Sequence, residues 1–209
     1  YSYPVRTPSY IPQIAFYFLT GHKDAANKLT LFGKIAHHSN GQDGNFYTDD
    51  GKVNLQSGNF ATNYLELGFL QSSYSQNLKA FKFIKSSVEI HPKSWMLEEL
   101  HGQYSGLRWH NTFLAYKLPM KSNLIKSSEQ KANFSVKAET TLMLDNINNW
   151  DTFNSKRINA SLIVYYHPKF LEDIGFFVQF YQGMDYYNIY FQHQISSIRF
   201  GIMTETLRF

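Results

Sequence analysis

Two residues near the end of a predicted strand are of types that can do chemistry together. In the stretch IAHHSNGQDG, His37 and Ser39 are two positions apart, and side chains at that spacing lie on the same face of a β-strand. An imidazole beside a hydroxyl can act as a general base and activate it as a nucleophile. Asn63 shares its face with Leu65 on the next predicted strand, where an unpaired amide would cost about 1–3 kcal/mol. Pairing Asn63 with His37 removes that cost and orients the imidazole, which predicts a catalytic set of Ser39, His37 and Asn63.

The same stretch also has a simpler interpretation, as the polar end of a strand that runs into a turn. Asn40 and Gly41 are residue types that readily adopt left-handed turn conformations. The phase of the strand favours the catalytic interpretation. Ile35 is expected on the apolar face, so that His37 points the same way and His38 points to the opposite, polar face.

Composition excludes several classes of function. The chain has 209 residues, of which 43% are hydrophobic, 17% aromatic and 17% charged, and it contains no apolar run of the ~18–20 residues that a membrane-spanning helix needs. The absence of cysteine removes disulfides, thiolate nucleophiles and cysteine-ligated zinc. The net charge of +4 comes from scattered lysines and arginines, so no nucleic-acid partner is expected.

Alternation of apolar and polar residues predicts about nine strands. Most of them have ten residues or more, which is longer than the ~5–6 residues usual in soluble proteins and matches the ~9–11 that a tilted strand needs to cross a bilayer. The predicted strands are residues 10–19, 28–38, 59–71, 78–91, 103–118, 133–144, 157–167, 174–183 and 194–207. This pattern predicts an all-β fold, a transmembrane antiparallel β-barrel that forms a single domain over residues 1–209.

The two faces of the predicted strands differ in the way a membrane barrel requires. Leu65, Leu67 and Phe69, for example, alternate with Tyr64 and Glu66. A large soluble β-sandwich or a lipocalin-like barrel is the alternative. Aromatic residues near the strand ends and a carboxy-terminal phenylalanine in TLRF favour the membrane barrel, in the manner of bacterial outer-membrane proteins. Since single-chain bacterial barrels usually have an even number of strands, further strands are expected before the first residue of this sequence.

Several motifs together resemble the bacterial outer-membrane phospholipase A family. They are HHSNG at residues 37–41, NYLELGF at 63–69, YPVRTPSYIPQ at 3–13 and the ending ISSIRFGIMTETLRF. The resemblance implies a barrel of about twelve strands, nine of them in this sequence, and a multi-pass location in the bacterial outer membrane. It also implies that Ser39 attacks the acyl ester, that His37 transfers the proton, that Asn63 orients His37, and that the amide of Gly41 stabilises the oxyanion.

The resemblance further implies a calcium cofactor and a homodimer as the active form. The positions that match family calcium ligands are the carbonyl of Gln42, then Asn59 in place of a serine with Ser57 nearby, Tyr3 or Ser2 through a main-chain oxygen, and Glu98 or Glu99 from the next outer loop. The sequence departs from the family in a longer loop between Ser39 and Asn63. Three aspartates in that loop, Asp43, Asp49 and Asp50, are either an added calcium site or ordinary solvated residues.

The expected function is therefore a calcium-dependent outer-membrane phospholipase that hydrolyses acyl esters of phospholipids. A catalytically silent barrel, acting as a scaffold or subunit of an outer-membrane assembly, is the alternative, because the calcium positions and the outer loops differ from the family pattern. A passive pore is a third interpretation, which polar side chains expected in the lumen, such as Lys34, Glu66 and Arg199, argue against.

Overall fold

The chain forms one antiparallel sheet in which strands follow one another in sequence order. The computed structural model describes residues 9–20, 27–119, 132–168, 170–171, 174–185 and 191–204. The sheet has nine strands. They are β1 (Gln13–Thr20), β2 (Lys28–Ser39), β3 (Ala61–Ser75), β4 (Ala80–Ile90), β5 (Leu107–Pro119), β6 (Ala132–Met143), β7 (Ile158–Pro168), β8 (Ile174–Met184) and β9 (Gln194–Thr204). Three short 3₁₀ helices span Lys93–Trp95, Glu98–Leu100 and Ser155–Arg157.

The nine predicted strands are confirmed, and the differences lie at their ends. The first strand begins at Gln13 rather than residue 10, although Tyr10 still forms an isolated bridge to Ser39. The fifth begins at Leu107 rather than residue 103, because Tyr104 leaves the sheet and packs among the loops. Residues 205–207 of the last predicted strand, the TLRF ending and the whole loop between β5 and β6, residues 120–131, lie outside the described residues.

The sheet has an inverted distribution of apolar and polar side chains. One face exposes large apolar side chains, such as Leu67 at 62% and Phe200 at 85% exposure. The opposite face buries polar ones, among them Glu66 at 2% exposure and Ser87 at 3%. This is the reverse of a water-soluble sheet, where the apolar face is the buried one.

The buried charges of the inner face are paired. The carboxylate of Glu66 on β3 contacts the ammonium groups of Lys34 on β2 and Lys85 on β4, the latter at 2.7 Å. It also accepts a hydrogen bond of 2.6 Å from the hydroxyl of Ser87. Each charge therefore has a partner, which is the condition for keeping charged groups out of water.

The sheet is curved, so that distant loops meet at one end. A cluster of buried apolar residues combines the β2–β3, β4–β5 and β8–β9 loops. Its members are Phe46, Phe60, Leu100, Tyr104 and Phe191. Behind it, His38 of β2 and Tyr181 of β8 line the same interior cavity of about 150 Å³.

The two outermost strands each have one neighbour. Within the described residues, β1 pairs only with β2 and β9 only with β8. No helix in this part of the chain has the length and apolar character needed to cross a bilayer.

Candidate functional site

His37 and Asn63 meet on the exposed apolar face of the sheet. They are directly opposite each other in the pairing of β2 with β3, and His37 Nδ1 lies 2.9 Å from Asn63 Oδ1. The other end of the amide, Asn63 Nδ2, donates to the carbonyl of Trp95 at 3.2 Å. With the amide nitrogen committed to that carbonyl, Oδ1 accepts, so Nδ1–H of His37 is the donor.

Ser39 is the last residue of β2, and its backbone is held on both sides. It lies opposite Ala61 of β3. The main-chain amide of Ser39 donates to the carbonyl of Tyr10 at 3.0 Å, and the carbonyl of Ser39 accepts from the main-chain amide of Tyr10 at 2.8 Å. The amide of His37 donates to the carbonyl of Pro12 at 3.0 Å. Residues 10–13 thus fix the end of β2, and the extended backbone places Ser39 on the same face as His37.

The two adjacent histidines point to opposite faces. His37 lines a groove on the apolar face, whereas His38 lines the interior cavity and contacts the ring of Phe60 edge-on at a centroid distance of 5.3 Å. The strand phase predicted this separation. Only His37 of the pair is therefore placed beside Asn63.

Asn40 has a structural role that the sequence did not reveal. It is completely buried, its Nδ2 donates to the carbonyl of Gly58 at 2.7 Å, and its Oδ1 accepts from the amides of Gln42 and Phe60, both at 3.1 Å. The turn interpretation assigned left-handed backbone to both Asn40 and Gly41. In the described residues only Gly41 of these two has positive φ, at 68°, because Asn40 instead joins the two ends of the β2–β3 loop.

A groove adjoins the histidine–asparagine pair. Its volume is about 580 Å³, within the ~300–1,000 Å³ common for small-molecule sites. It is lined by Pro12, Gln13, Ile14, Ile35, Ala36, His37, Asn63 and Trp95. None of these side chains is acidic or basic apart from the imidazole, so the groove offers apolar surface with polar side chains at Gln13, His37 and Asn63.

The positions expected to bind calcium are partly brought together. Gln42 and Asn59 lie at the two ends of the loop that Asn40 joins, since Asn40 Oδ1 accepts from Gln42 and from Phe60, the neighbour of Asn59. Glu98 begins the short helix Glu98–Leu100 in the next outer loop. Tyr3 lies outside the described residues.

These positions offer mainly neutral oxygens. In the described part of the chain, no three histidine, aspartate or glutamate side chains are grouped to hold a metal. Gln42 and Asn59 supply carbonyl and amide oxygens, which suit calcium, and Glu98 is the one carboxylate among the expected ligands. The donor types of Gln42, Asn59 and Glu98 are therefore ones that calcium accepts.

In the long loop, one of the three aspartates considered for a second calcium site already has partners within the protein. Asp50 Oδ2 lies 2.6 Å from Lys52 Nζ, and Asp50 Oδ1 contacts the hydroxyl of Thr48. The hydrogen bond from Lys52 is the main cause that lowers the pKa of the Asp50 carboxyl. The solvated-loop interpretation accounts for Asp50 without a metal.

A buried polar network lies on the inner face behind Asn63. Thr62, its chain neighbour, shares a hydrogen bond of 2.9 Å with His91 Nδ1, and His91 Nε2 lies 2.8 Å from Glu89. Burial lowers the pKa of His91, outweighing the opposite effect of Glu89. A neutral His91 that accepts from Thr62 and donates to Glu89 satisfies all three groups.

Comparison with known proteins adds no family assignment. No family model, no curated protein and no solved structure matches this chain. The side-chain geometry and the sequence pattern therefore carry the functional conclusion.

Proposed function

We propose that this chain is a bacterial outer-membrane β-barrel and a phospholipase, hydrolysing acyl esters with a Ser39, His37 and Asn63 triad on its lipid-facing exterior. The observation that carries the proposal is the 2.9 Å contact between His37 Nδ1 and Asn63 Oδ1, at the edge of a groove on a face where most of the large exposed side chains are apolar. A polar pair in that position needs a reason. Orientation of a catalytic imidazole beside Ser39 supplies one.

The inverted sheet supports a membrane location. Exposed leucine, isoleucine and phenylalanine side chains are stable against lipid, whereas paired charges such as Lys34 with Glu66 belong on a protected interior. Closure of the sheet into a barrel would satisfy the outer edges of β1 and β9, which in lipid would otherwise hold unpaired backbone groups. The active centre would then face the hydrocarbon in which acyl chains reside.

The proposed reaction follows serine hydrolase chemistry. His37 Nε2 removes the proton from Ser39 Oγ as the oxygen attacks the ester carbonyl carbon, and the carbonyl oxygen becomes an oxyanion near the amide of Gly41. The imidazolium returns the proton to the leaving alkoxide, which departs as the lysophospholipid and leaves an acyl group on Ser39. A water molecule, deprotonated by His37, then releases the fatty acid and restores Ser39.

Calcium and dimer formation belong to the same proposal and rest on the resemblance. Gln42 and Asn59, with Glu98, are the residues that would hold the ion. When bound, calcium supplies positive charge for the developing oxyanion. We expect EDTA to abolish hydrolysis and added calcium to restore it, and chemical cross-linking to capture a homodimer under conditions of activity. Hydrolysis that is indifferent to EDTA would remove calcium from the mechanism.

Substitution of the proposed nucleophile tests the activity directly. Detergent-solubilised protein with calcium should release fatty acid from a long-chain phospholipid, and Ser39→Ala should lose that release while keeping its fold. Ser196→Ala, at an exposed position of β9, is the matched control and should retain full activity. A fluorophosphonate probe should attach covalently to Ser39, located by mass spectrometry. Hydrolysis retained in Ser39→Ala would overturn the triad.

A silent scaffold is the second candidate. The β2–β3 loop is ordered by Asn40 and packs with the β4–β5 and β8–β9 loops through Phe191, which gives the outer end a shaped surface independent of catalysis. This candidate predicts neither hydrolysis nor fluorophosphonate labelling in the wild-type protein.

A further inference from the structure

We infer that the main-chain carbonyl of Trp95 is a positioning group of the site, one that fixes the amide of Asn63 and, through it, the tautomer of His37. The inference rests on the proposed ester hydrolase. It adds a fourth member, contributed by the β4–β5 loop, to the proposed set of Ser39, His37 and Asn63. No sequence pattern indicates it, because the group is a backbone atom 32 residues from Asn63.

The amide of Asn63 has a donor end and an acceptor end, and both are used. Nδ2 donates to Trp95 O at 3.2 Å and Oδ1 faces His37 Nδ1 at 2.9 Å. A reversed amide would place Oδ1 against the Trp95 carbonyl oxygen, two acceptors without a proton between them. The carbonyl therefore permits one orientation of the amide.

That orientation determines which imidazole nitrogen carries the proton. With Asn63 Oδ1 as acceptor, His37 is protonated at Nδ1 and keeps the lone pair on Nε2, the nitrogen that must accept the proton of Ser39. A reversed amide would stabilise the opposite tautomer, which has no free base for the hydroxyl. The Trp95 carbonyl thus selects the reactive form of the histidine.

Backbone contacts hold the carbonyl in place. β4 pairs with β3 from Leu65 onward, opposite Ile90. The first residues of β3, which precede Leu65, lie beside the segment 95–97 instead. The amide of Leu97 donates to the carbonyl of Ala61 at 3.2 Å, and Met96 bridges to Thr62. The position of the carbonyl is therefore set by main-chain bonds and does not depend on the indole side chain.

The pH profile of Asn63→Asp separates this role from a merely structural one. A carboxylate at position 63 would point one oxygen at the Trp95 carbonyl, so we expect kcat to fall about tenfold or more at neutral pH. Protonation of that oxygen restores a donor, and the ratio of variant to wild-type activity should rise as the pH falls. If the carbonyl has no role, protonation of the carboxylate restores no lost contact, and the ratio should stay level or fall as the pH falls. That second outcome would overturn the inference.

A proline at position 97 tests the anchor of the segment. Leu97 has φ of −58° and the preceding Met96 is extended, so proline fits the backbone and removes only the N–H that bonds to Ala61. Leu97→Pro should lower kcat about tenfold with little change in KM. Leu97→Ala is the control, since it loses the same apolar packing against the loop cluster but keeps the N–H. Equal activity of the two variants would contradict the inference.

NMR spectroscopy of the histidine side chains tests the inference even if the protein hydrolyses no ester. In protein labelled with ¹⁵N-histidine, the signal of His37, assigned by its loss in His37→Gln, should report a proton on Nδ1 in the wild type and mixed tautomers in Leu97→Pro. Failure of the proposed function would appear as a wild-type protein that hydrolyses nothing. Failure of the inference would appear as an unchanged His37 signal in Leu97→Pro.

Discussion

Glycine at position 41 is required by its backbone conformation and by a neighbouring ring. Its φ is 68°, and a Cβ added there would lie 2.6 Å from the ring of Tyr10. Tyr10 is also the residue that pairs with the backbone of Ser39. The absence of a side chain at Gly41 therefore allows the chain before β1 to close over the end of β2, next to the proposed oxyanion amide.

Gly41→Ala should lower the free energy of unfolding by about 2–3 kcal/mol, of which ~1–2 kcal/mol is backbone strain and the remainder displacement of Tyr10. Gly51→Ala isolates the strain, because Gly51 has φ of 76° with nothing within 4 Å of an added Cβ. Urea unfolding of the two variants gives the comparison. Equal losses would show that the ring of Tyr10 gives way at no cost.

His91 makes stability depend on pH in a predictable direction. Burial lowers its pKa in the folded state, so at pH values below the unfolded value of ~6.5 the unfolded chain binds the proton that the folded chain excludes. The contribution of His91 is fully present above that pH and is lost as the pH falls below it. We expect the free energy of unfolding to decrease as the pH is lowered from about 7 to about 5. In His91→Gln this decrease should be smaller. An unchanged slope in the variant would contradict the assignment.

The strands were predictable because apolar and polar residues alternate along them, which distinguishes the two faces of each strand. The row Leu65, Leu67 and Phe69 is exposed and the row Tyr64 and Glu66 is buried, as their spacing predicted, and the same phase separated His37 from His38. The prediction that Asn63 pairs with His37 rested on the same alternation, which placed both residues on the apolar face.

The loops were not predictable by the same means, because side chain to backbone bonds organise them. Asn40 contacts three backbone groups up to 20 residues away, and Asn54 accepts from the amides of Gln56 and Ser57 in its own turn. Such bonds leave no periodic signal in the sequence. For the same reason the contact between Asn63 and the Trp95 carbonyl emerges only from the fold.

A charge placed on the exposed apolar row tests whether that row faces lipid. Leu67→Lys should cost about 2–4 kcal/mol if position 67 lies near the middle of a bilayer and less than ~0.5 kcal/mol if it faces water. Phe153→Lys is the control, because Phe153 is 99% exposed in the loop after β6, and it should be neutral. The measurement is unfolding from phospholipid vesicles in guanidinium. A neutral Leu67→Lys would place the row in water and favour a soluble sheet.

In the molecule as a whole, paired charges link the strands on the inner face, while the loop cluster buries apolar side chains at one end. Glu66 contacts both Lys34 and Lys85, so that three neighbouring strands share one ionic cluster. In a closed barrel of about twelve strands, these side chains and the loop cluster at one end would narrow the lumen, which argues against a passive pore.

Glu66→Gln should leave two half-buried ammonium groups without a counter-charge and lower the free energy of unfolding by about 3 kcal/mol, the low end for a broken buried ion pair. Glu139→Gln is the control, because the ion pair of Glu139 with Lys137 is partly exposed, and it should cost less than ~1 kcal/mol.

Planar-bilayer recordings of the wild-type protein should show no steady conductance. Regular open-channel steps would revive the pore interpretation.

The loop cluster can be completed only after Phe191 has been synthesised. Phe191 packs with Phe46 and Phe60, which precede it by well over half the chain length. The ends of the segment that carries Ser39 and Asn63 therefore acquire their full packing only after β8, β9 and the loop between them have been synthesised. A nascent or truncated chain lacking β8 and β9 would hold every proposed catalytic residue and still leave the loop cluster without Phe191, so the loops around the proposed site would lack part of their support.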